Sequence, residues 1–240
     1  MPQSQAARHR LRWASGALTL FLCGCVYFSK HTPPGACVSD LGSPIRNFCV
    51  VSPDALWRGE RPTSADAKWL IEHHVGSIVS LQLNDQRAFE EAAPAATLAS
   101  SVPYYQVPGF SPLQMLSQAH VDKHVALFLA IMEAAPKPVY VHCRAGVDRT
   151  GVVAAAYRVL ITHADREEMI TEMGRFHSPW QKIDAHYVRS LTEERRAQIL
   201  RAAADWKARL EPSARIDCHA GHCRYVRNEV NPTVKASKIP

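Results

Sequence analysis

The chain has 240 residues and a formal net charge of +6. Three arginines, Arg8, Arg10 and Arg12, lie within residues 1–24, which contain no acidic residue, so the rest of the chain carries only +3. So small an excess, without a basic patch interleaved with aromatic residues, does not indicate a nucleic-acid partner. The sequence contains no internal repeat or low-complexity tract, and its length suits one globular domain with terminal extensions.

The first segment, residues 1–24, has the pattern of a secretion signal. The three arginines precede an apolar core of ten residues, Trp13 to Leu22, which is well short of the roughly 20 residues that span a bilayer. Leu22-Cys23-Gly24-Cys25 resembles a bacterial lipobox, so lipidated Cys25 is a possible membrane attachment. Cys23 is unusual at its position, which leaves ordinary signal cleavage or an uncleaved anchor open. We predict an exported protein, either periplasmic or anchored on the periplasmic side of the membrane.

Four further cysteines fit an oxidising compartment. Cys37, Cys49, Cys218 and Cys223 lie near the two ends of the mature chain, and they predict two disulfides with three possible connectivities. The run from Cys218 to Cys223 also contains two histidines and resembles a metal cluster. Structural zinc sites normally use two separated pairs of ligands, so we favour disulfides there and predict no metal site.

The segments after the signal predict an α/β domain between two irregular ends. Residues 25–46 are rich in proline and glycine and predict an irregular arm or linker, whereas residues 47–210 alternate strands with helices. Residues 211–240 predict a C-terminal tail that carries Cys218 and Cys223. The predicted elements, in chain order, are strands at 48–51 and 56–58, a helix from Thr63 to about His74, a strand at 77–83, a helix near 88–93, a strand at 102–107, a helix at 117–134, a strand ending at Cys143, helices at 150–163 and 165–174, and one long helix at 184–210.

The most specific feature lies at residues 142–151, which read His-Cys-Arg-Ala-Gly-Val-Asp-Arg-Thr-Gly between a predicted strand and a predicted helix. The amides of such a loop and the positive end of the helix dipole converge on one point and form an anion site. The same field favours the thiolate form of Cys143. Arg149 offers a planar fork for two oxygens of a phosphoryl group.

This loop resembles the signature of the cysteine-dependent protein tyrosine and dual-specificity phosphatases, His-Cys-x-x-Gly-x-x-Arg followed by Ser or Thr. The order of elements over roughly residues 45–210 is similar to that of the small bacterial dual-specificity phosphatases. The resemblance implies a phosphatase-type fold with a central, mainly parallel sheet flanked by helices. It also implies hydrolysis of phosphotyrosine, and in addition phosphoserine or phosphothreonine, in a protein or a small phosphomonoester, without any cofactor.

The resemblance assigns a role to each residue of the loop. Cys143 is implied to be the nucleophile, and His142 to orient the loop through backbone contacts. Arg149 and the loop amides are implied to stabilise the transferred phosphoryl group. Thr150 is implied to hydrogen-bond the thiolate. The predicted phosphate-binding residues are Arg144, Ala145, Gly146, Val147 and Thr150.

The general acid is less clear from the sequence. Most of these phosphatases place an aspartate on a loop about 25 to 35 residues before the cysteine, but residues 108–118 contain no carboxylate. Asp148 lies directly before Arg149, as in the loops of myotubularins and some bacterial phosphatases, and we favour it as the acid. Its alternative role is a structural pairing with Arg149 or the helix N-terminus. Asp122 is the second candidate. It lies before Cys143, in the predicted helix at 117–134.

Two other functions remain as alternatives. A rhodanese-like sulfurtransferase shares the start of the loop, but its usual loop is one residue shorter and closes around a smaller sulfur atom. A phosphate-binding pseudophosphatase is the second alternative, because the usual acid is missing. Val147 argues against inositol lipids, since phosphoinositide-active relatives often have Lys there. Arg58 and Arg61 are either pocket residues or surface arginines beside a turn.

Overall fold

The structure is a computed structural model that describes residues 37–82, 100–107, 114–212, 214–219 and 222–227. The predicted signal at 1–24, the first part of the predicted linker and the predicted helix near 88–93 lie outside the described residues. Among the helices within these ranges, none is long and apolar enough to cross a membrane.

The described residues form one sheet and six α-helices. The strands are β1 (Cys49–Ser52), β2 (Leu56–Gly59), β3 (Ser77–Ser80), β4 (Ser100–Gln106), β5 (Val139–His142), β6 (Ala214–His219) and β7 (His222–Arg227). The helices are α1 (Ser64–Glu72), α2 (Gln118–Ala134), α3 (Asp148–Ile161), α4 (Arg166–Gly174), α5 (Gln181–Arg189) and α6 (Glu193–Lys207), with a 3₁₀ turn at Gln114–Leu116. The predicted cap of the first helix is present, because Thr63 accepts the amide of Asp66 in a capping box.

The sheet has the order β1-β2-β5-β3-β4-β6-β7. Its four central strands, β2, β5, β3 and β4, run parallel, whereas β1, β6 and β7 pair antiparallel at the two edges. The predicted α/β architecture with a central sheet is therefore confirmed, and its parallel part is the centre. This arrangement matters for the site, because the carboxyl ends of β2, β3 and β5 meet at one edge of the sheet.

The sheet is covered on both faces, and β5 shows how one strand serves both. Val139 and Val141 pack into the larger core with α2 and α3, while Tyr140 between them packs into the smaller core with Phe48 and Leu70. This alternation follows from the two-residue period of a strand. The strand that carries the loop is thus fixed from both sides.

The long helix predicted at 184–210 is wrong, because the structure divides it into α5 and α6. The break lies at residues 190–192, and Thr192 caps the second helix by accepting the amide of Arg195. Thr192 followed by Glu193 and Glu194 is a sequence signal for a helix start, since a capping hydroxyl and acidic residues stabilise the first turn.

The C-terminal segment also differs from its prediction. No strand was expected within residues 211–240, yet β6 and β7 form an antiparallel pair that extends the sheet from β4. Alternation of charged and apolar residues from Arg215 to Cys218 is the strand pattern that the prediction overlooked. The register places Cys218 opposite Cys223.

The two N-terminal cysteines are joined. Cys37 and Cys49 form a disulfide that ties the irregular segment before β1 to the edge of the sheet. A backbone bridge between Ser39 and Val50 lies beside it. This disulfide is compatible with only one of the three predicted connectivities. In that connectivity the second disulfide joins Cys218 to Cys223.

Candidate active site

The candidate site is the loop between β5 and α3. The strand ends at His142 and the helix begins at Asp148, so Cys143 to Val147 form a five-residue turn at the carboxyl edge of the sheet. Cys143 is a free thiol whose side chain is 2% exposed. The structure therefore brings the predicted residues from Cys143 to Thr150 together in one loop and the first helical turn.

Gly146 is required by the backbone of this turn. Its φ is +70°, a conformation that disfavours L side chains. A Cβ atom there would lie 2.3 Å from the carbonyl group of Gly59 and 2.5 Å from the amide of Glu60. The loop thus packs directly against the backbone that leaves β2, and only glycine permits this approach.

Four consecutive carbonyls of the loop are held from outside it. The amide of Arg61 donates to Arg144 O (3.4 Å), and the side-chain amide of Asn47 donates to Ala145 O (2.9 Å). The guanidinium of Arg58 donates through Nη2 to Gly146 O (2.7 Å) and to Val147 O (3.3 Å). In a trans peptide the C=O and N–H point in opposite directions. The amides of the residues that follow these carbonyls therefore face the inside of the loop, where they make an anion-binding concavity.

Arg58 lies beneath the loop and does not line its mouth. Its side chain is 1% exposed, and its guanidinium stacks 4.1 Å from the ring centroid of Phe176. Burial lowers the pKa of Arg58 to about 10, while the nearby Glu172 and Cys143 oppose that shift, so the group stays cationic at neutral pH. Of the two arginines considered in the sequence, Arg58 is a buried brace, and the exposed Arg61 touches the loop through its backbone amide.

Three further side chains belong to the loop and its flanking residues. Arg149 donates through Nη1 to the carbonyl of Leu81, just beyond β3, at 2.9 Å. One anchored nitrogen fixes the guanidinium, and its planar fork offers four more N–H groups. The hydroxyl of Thr150 is fully buried and has no hydrogen-bond partner among the described residues, so the structure does not contain the hydrogen bond to the Cys143 sulfur that the resemblance implied. His142 is buried with Nδ1 3.3 Å from Cys143 O, a contact to the backbone of the kind predicted for it.

Asp148, the favoured acid, lies in the first turn of α3 and belongs to a partly buried polar cluster. Its Oδ1 is hydrogen-bonded by the hydroxyl of Ser178. The same hydroxyl lies 3.1 Å from Oδ2 of Asp184, which is 0% exposed in α5. The backbone amide of Trp180 donates to the Ser178 hydroxyl oxygen at 2.9 Å. One serine therefore joins two carboxyl groups.

The second carboxyl group of this cluster is perturbed. Burial, reinforced by the negative charge of Asp148, raises the pKa of Asp184 to about 7, and the hydrogen bond from Ser178 acts in the other direction. Its Oδ1 is buried without a hydrogen-bond partner among the residues described. Desolvation of an unpaired oxygen disfavours the charged form, so Asp184 is protonated in a substantial fraction of molecules at neutral pH and in nearly all of them at mildly acidic pH.

Asp122, the second candidate acid, is committed elsewhere. It lies in α2, where it accepts Arg195 Nη2 at 2.6 Å and the hydroxyl of Tyr187 at 2.8 Å. These bonds tie α2 to α5 and α6. The carboxylate is therefore part of the packing between helices.

Ser178 and Asp184 were not predicted as site residues. A signal for Asp184 exists, because it lies three and four residues before Tyr187 and Val188, which are buried on the same helix face. A carboxylate on the apolar face of a helix marks a perturbed group. Ser178 has no comparable signal, since it lies in the connection between α4 and α5.

The fold and the loop define a cysteine-dependent phosphatase of the dual-specificity type. The family model described as "PTP-NADK: DSP-PTPase phosphatase fused to NAD+ Kinase" matches residues 47–190, and the chain belongs to this family. The dual specificity protein phosphatase TpbA of Pseudomonas aeruginosa is 28% identical over 177 residues, 73% of this chain and 75% of the relative.

Solved structures of the same relative agree with this assignment. The crystal structure of P. aeruginosa TpbA is 26% identical, has a TM-score of 0.50, and is matched over 64% of this chain and 90% of its own. A variant of TpbA in complex with pTyr has the same TM-score and coverage at 23% identity, and its likeness to this chain is one of fold.

Proposed function

We propose that this enzyme hydrolyses phosphotyrosine, and more slowly phosphoserine or phosphothreonine, by transferring the phosphoryl group to Cys143. The observation that carries the proposal is the loop in which four outward carbonyls turn the amides toward one point beside a free thiol. A loop of five residues between Cys143 and Arg149 has room for a tetrahedral phosphoryl group. A sulfurtransferase loop, which surrounds a single sulfur atom, is shorter.

In the first step the thiolate of Cys143 attacks phosphorus, and the bond from phosphorus to the leaving oxygen breaks. Asp148 gives its proton to that oxygen, so tyrosine departs as a neutral phenol. Arg149 and the loop amides stabilise the charge on the three equatorial oxygens.

In the second step water attacks the phosphocysteine. Asp148, now ionised, accepts a proton from this water, and the bond between sulfur and phosphorus breaks to return the thiolate. The products are inorganic phosphate and an enzyme in which Asp148 again carries a proton. The cycle needs no redox partner and no second substrate.

Phosphotyrosine is favoured as the substrate by a relative and by the loop. The relative TpbA has been solved with pTyr, and the chain aligns with most of that protein. Val147, buried at the loop, supplies no additional cation for a highly charged inositol headgroup. A phosphorylated protein or a small aryl phosphate is the substrate class that fits both points.

Steady-state kinetics of residues 25–240 on a phosphotyrosine peptide and para-nitrophenyl phosphate test the proposal. Cys143→Ser is expected to abolish turnover and to retain the fold and the binding of inorganic phosphate. A serine variant that turns over at the wild-type rate would show that Cys143 is not the nucleophile. A wild-type protein that binds phosphate without turnover would favour the pseudophosphatase, and conversion of thiosulfate and cyanide to thiocyanate would favour the sulfurtransferase.

The assignment of the acid has its own test. Asp148→Asn is expected to lower kcat about 10²-fold or more for phosphotyrosine, whose leaving group is basic, and far less for para-nitrophenyl phosphate. The physical reason is that a poor leaving group needs a proton when it departs, whereas para-nitrophenolate does not. Equal losses on both substrates would leave Asp148 a structural role and would reopen the search for the acid.

We also propose that the protein is exported, either to the periplasm or to a lipid anchor at Cys25. Support comes from the arginines and apolar core of residues 1–24 and from the disulfide of Cys37 with Cys49, since disulfides persist in oxidising compartments. The register of Cys218 opposite Cys223 is compatible with a second bond. Palmitate labelling that is lost in Cys25→Ser is expected for the anchored form, and full-length reduced protein in the cytoplasm would contradict export.

A further inference from the structure

The hydroxyl of Ser178 lies between two carboxyl groups, and its proton count limits what the cluster contains. A serine hydroxyl has one proton and accepts through two lone pairs. The amide of Trp180 uses one lone pair, and Ser178 donates its single proton to one carboxylate. The contact to the other carboxyl group is a hydrogen bond only if that group is protonated and donates to Ser178. All three contacts are hydrogen bonds at once only when the cluster holds one proton beyond the serine's own.

The surroundings place that proton on Asp184 at rest. Asp184 is enclosed in α5, its Oδ1 has no partner within the described part of the chain, and the ionised form is disfavoured there. Asp148, in the first turn of α3, is by contrast only partly buried. The other charged groups of this region are Arg58 from β2, which interacts electrostatically with Asp148, and Glu172 from α4, which interacts electrostatically with Arg58.

We propose that Asp184 is a positioning residue that stores the proton of the general acid and delivers it to Asp148 through Ser178. In the delivery, the O–H bond of Asp184 breaks as a new O–H bond forms at Ser178, and the original Ser178 O–H bond breaks as one forms at Asp148. The net change is one proton moved from Asp184 to Asp148. After the phosphocysteine is hydrolysed, the proton taken from water returns by the same route.

This arrangement explains how the enzyme works without an aspartate on the upstream loop. The acid lies within the catalytic loop itself, close to a dianionic substrate and a helix N-terminus, where each supplies an opposite influence on its proton. A buried second carboxyl group that binds its proton more tightly than an ordinary aspartate keeps a proton available up to about neutral pH. The inference rests on the proposed function, because it assigns the proton source of the same reaction.

The test uses Asp184→Asn and Ser178→Ala in the signal-less enzyme. Asparagine keeps the shape of Asp184 but has no acidic proton, and alanine breaks the connection while both carboxyl groups remain. We expect each variant to lower kcat for a phosphotyrosine peptide about tenfold or more, with little change in KM and a much smaller change for para-nitrophenyl phosphate. A purely structural role would lower kcat equally for both substrates.

Asp122→Asn is the matched control. Its carboxylate also bonds a side chain of α5, but it has no bond to Asp148 or Ser178. The control is expected to lower stability and to leave the ratio of the two kcat values as in wild type. Asp184→Glu, which restores a carboxylic acid, is expected to recover part of the phosphotyrosine activity.

Two results would overturn the inference. The first is an unchanged ratio of kcat values in both Asp184→Asn and Ser178→Ala, and the second is an equal change of that ratio in Asp122→Asn. The proposed function fails separately, through a Cys143→Ser variant that still turns over or a wild-type enzyme that does not. If Cys143→Ser and Asp148→Asn behave as expected and the two relay variants do not, only the role of Asp184 is lost.

Discussion

The two sides of the catalytic loop are held by opposite chemistry. On the side of β2, backbone carbonyls accept from Asn47, Arg58 and the amide of Arg61, which are donors that keep their protons across the neutral range. On the side of α5, Asp148 is joined through Ser178 to a carboxyl group that titrates near neutrality. The first side fixes the shape of the anion site, whereas the second side controls where a proton resides.

Substitutions on the β2 side and on the α5 side of the loop are therefore expected to have different effects. Changes on the β2 side should damage phosphate binding and folding for every substrate and at every pH. Changes on the α5 side should depend on the leaving group or on pH.

The largest effect is expected at the point where the loop contacts β2. Gly146→Ala places a methyl group within 2.3 Å of the Gly59 carbonyl in a residue whose φ is +70°. We expect kcat/KM to fall about 10³-fold or more on all aryl phosphates, because the amides no longer converge. Gly42→Ala is the control, since Gly42 has a φ of +64° with open space around it. The control should lose only about 1 kcal/mol of stability and retain activity, and similar kinetics for both variants would remove the steric argument.

A smaller effect is expected from the pH dependence of stability on the α5 side. The folded state raises the pKa of Asp184 to about 7, so it binds a proton that the unfolded chain has already released between about pH 4 and 7. The wild-type protein should therefore lose stability relative to Asp184→Asn as the pH rises through this window. About three pH units at about 1.4 kcal/mol each correspond to a change on the order of 4 kcal/mol.

Urea unfolding at several pH values measures this difference. Asp122→Asn is measured in parallel as a second Asp-to-Asn substitution in a carboxylate that bonds α5. A constant difference between wild type and Asp184→Asn would mean that Asp184 is ionised in the folded protein.

The smallest effect of the three concerns the buried brace. Arg58→Met removes the donor of Gly146 O and one of the two donors to Val147 O, which also accepts the amide of Gly151, and should cost about 3 kcal/mol in the free energy of unfolding. It should weaken inhibition by inorganic phosphate without changing the ratio of kcat values for the two substrates. Arg61→Met is the matched control, because Arg61 contacts the loop only through its amide, and it should change neither property. Equal losses in both variants would place Arg61 in the pocket after all.

The sequence predicts these two sides unequally. Residues 142–151 are contiguous, and the chemistry of a loop before a helix N-terminus depends on local backbone geometry, so Cys143, Arg149 and Asp148 were identifiable. The donors on the β2 side come from residues about 90 positions away in the chain, brought near by the parallel pairing of β2 with β5. Arg58 was noticed in the sequence, but only its burial distinguishes a brace from a pocket residue.

How well the fold was predicted also depends on how far apart in the sequence the interacting residues lie. Elements with strong local signals, such as the helix capped by Thr63 and the strand before Cys143, appear where the pattern predicts them. The break before α6 and the pairing of β6 with β4 were missed. The first depends on weighing the Thr192 cap against a continuous helical pattern, and the second depends on an edge strand that is distant in sequence.

The most direct test of the account is to look for the phosphocysteine. The wild-type enzyme is mixed with a phosphotyrosine peptide, quenched in acid within the first turnover, digested and analysed by mass spectrometry, with Cys143→Ser treated in parallel. The account predicts one phosphoryl group on the peptide that carries Cys143, with none on that peptide in the serine variant. Turnover without a phosphoryl group on Cys143, or with the group on another residue, would contradict it.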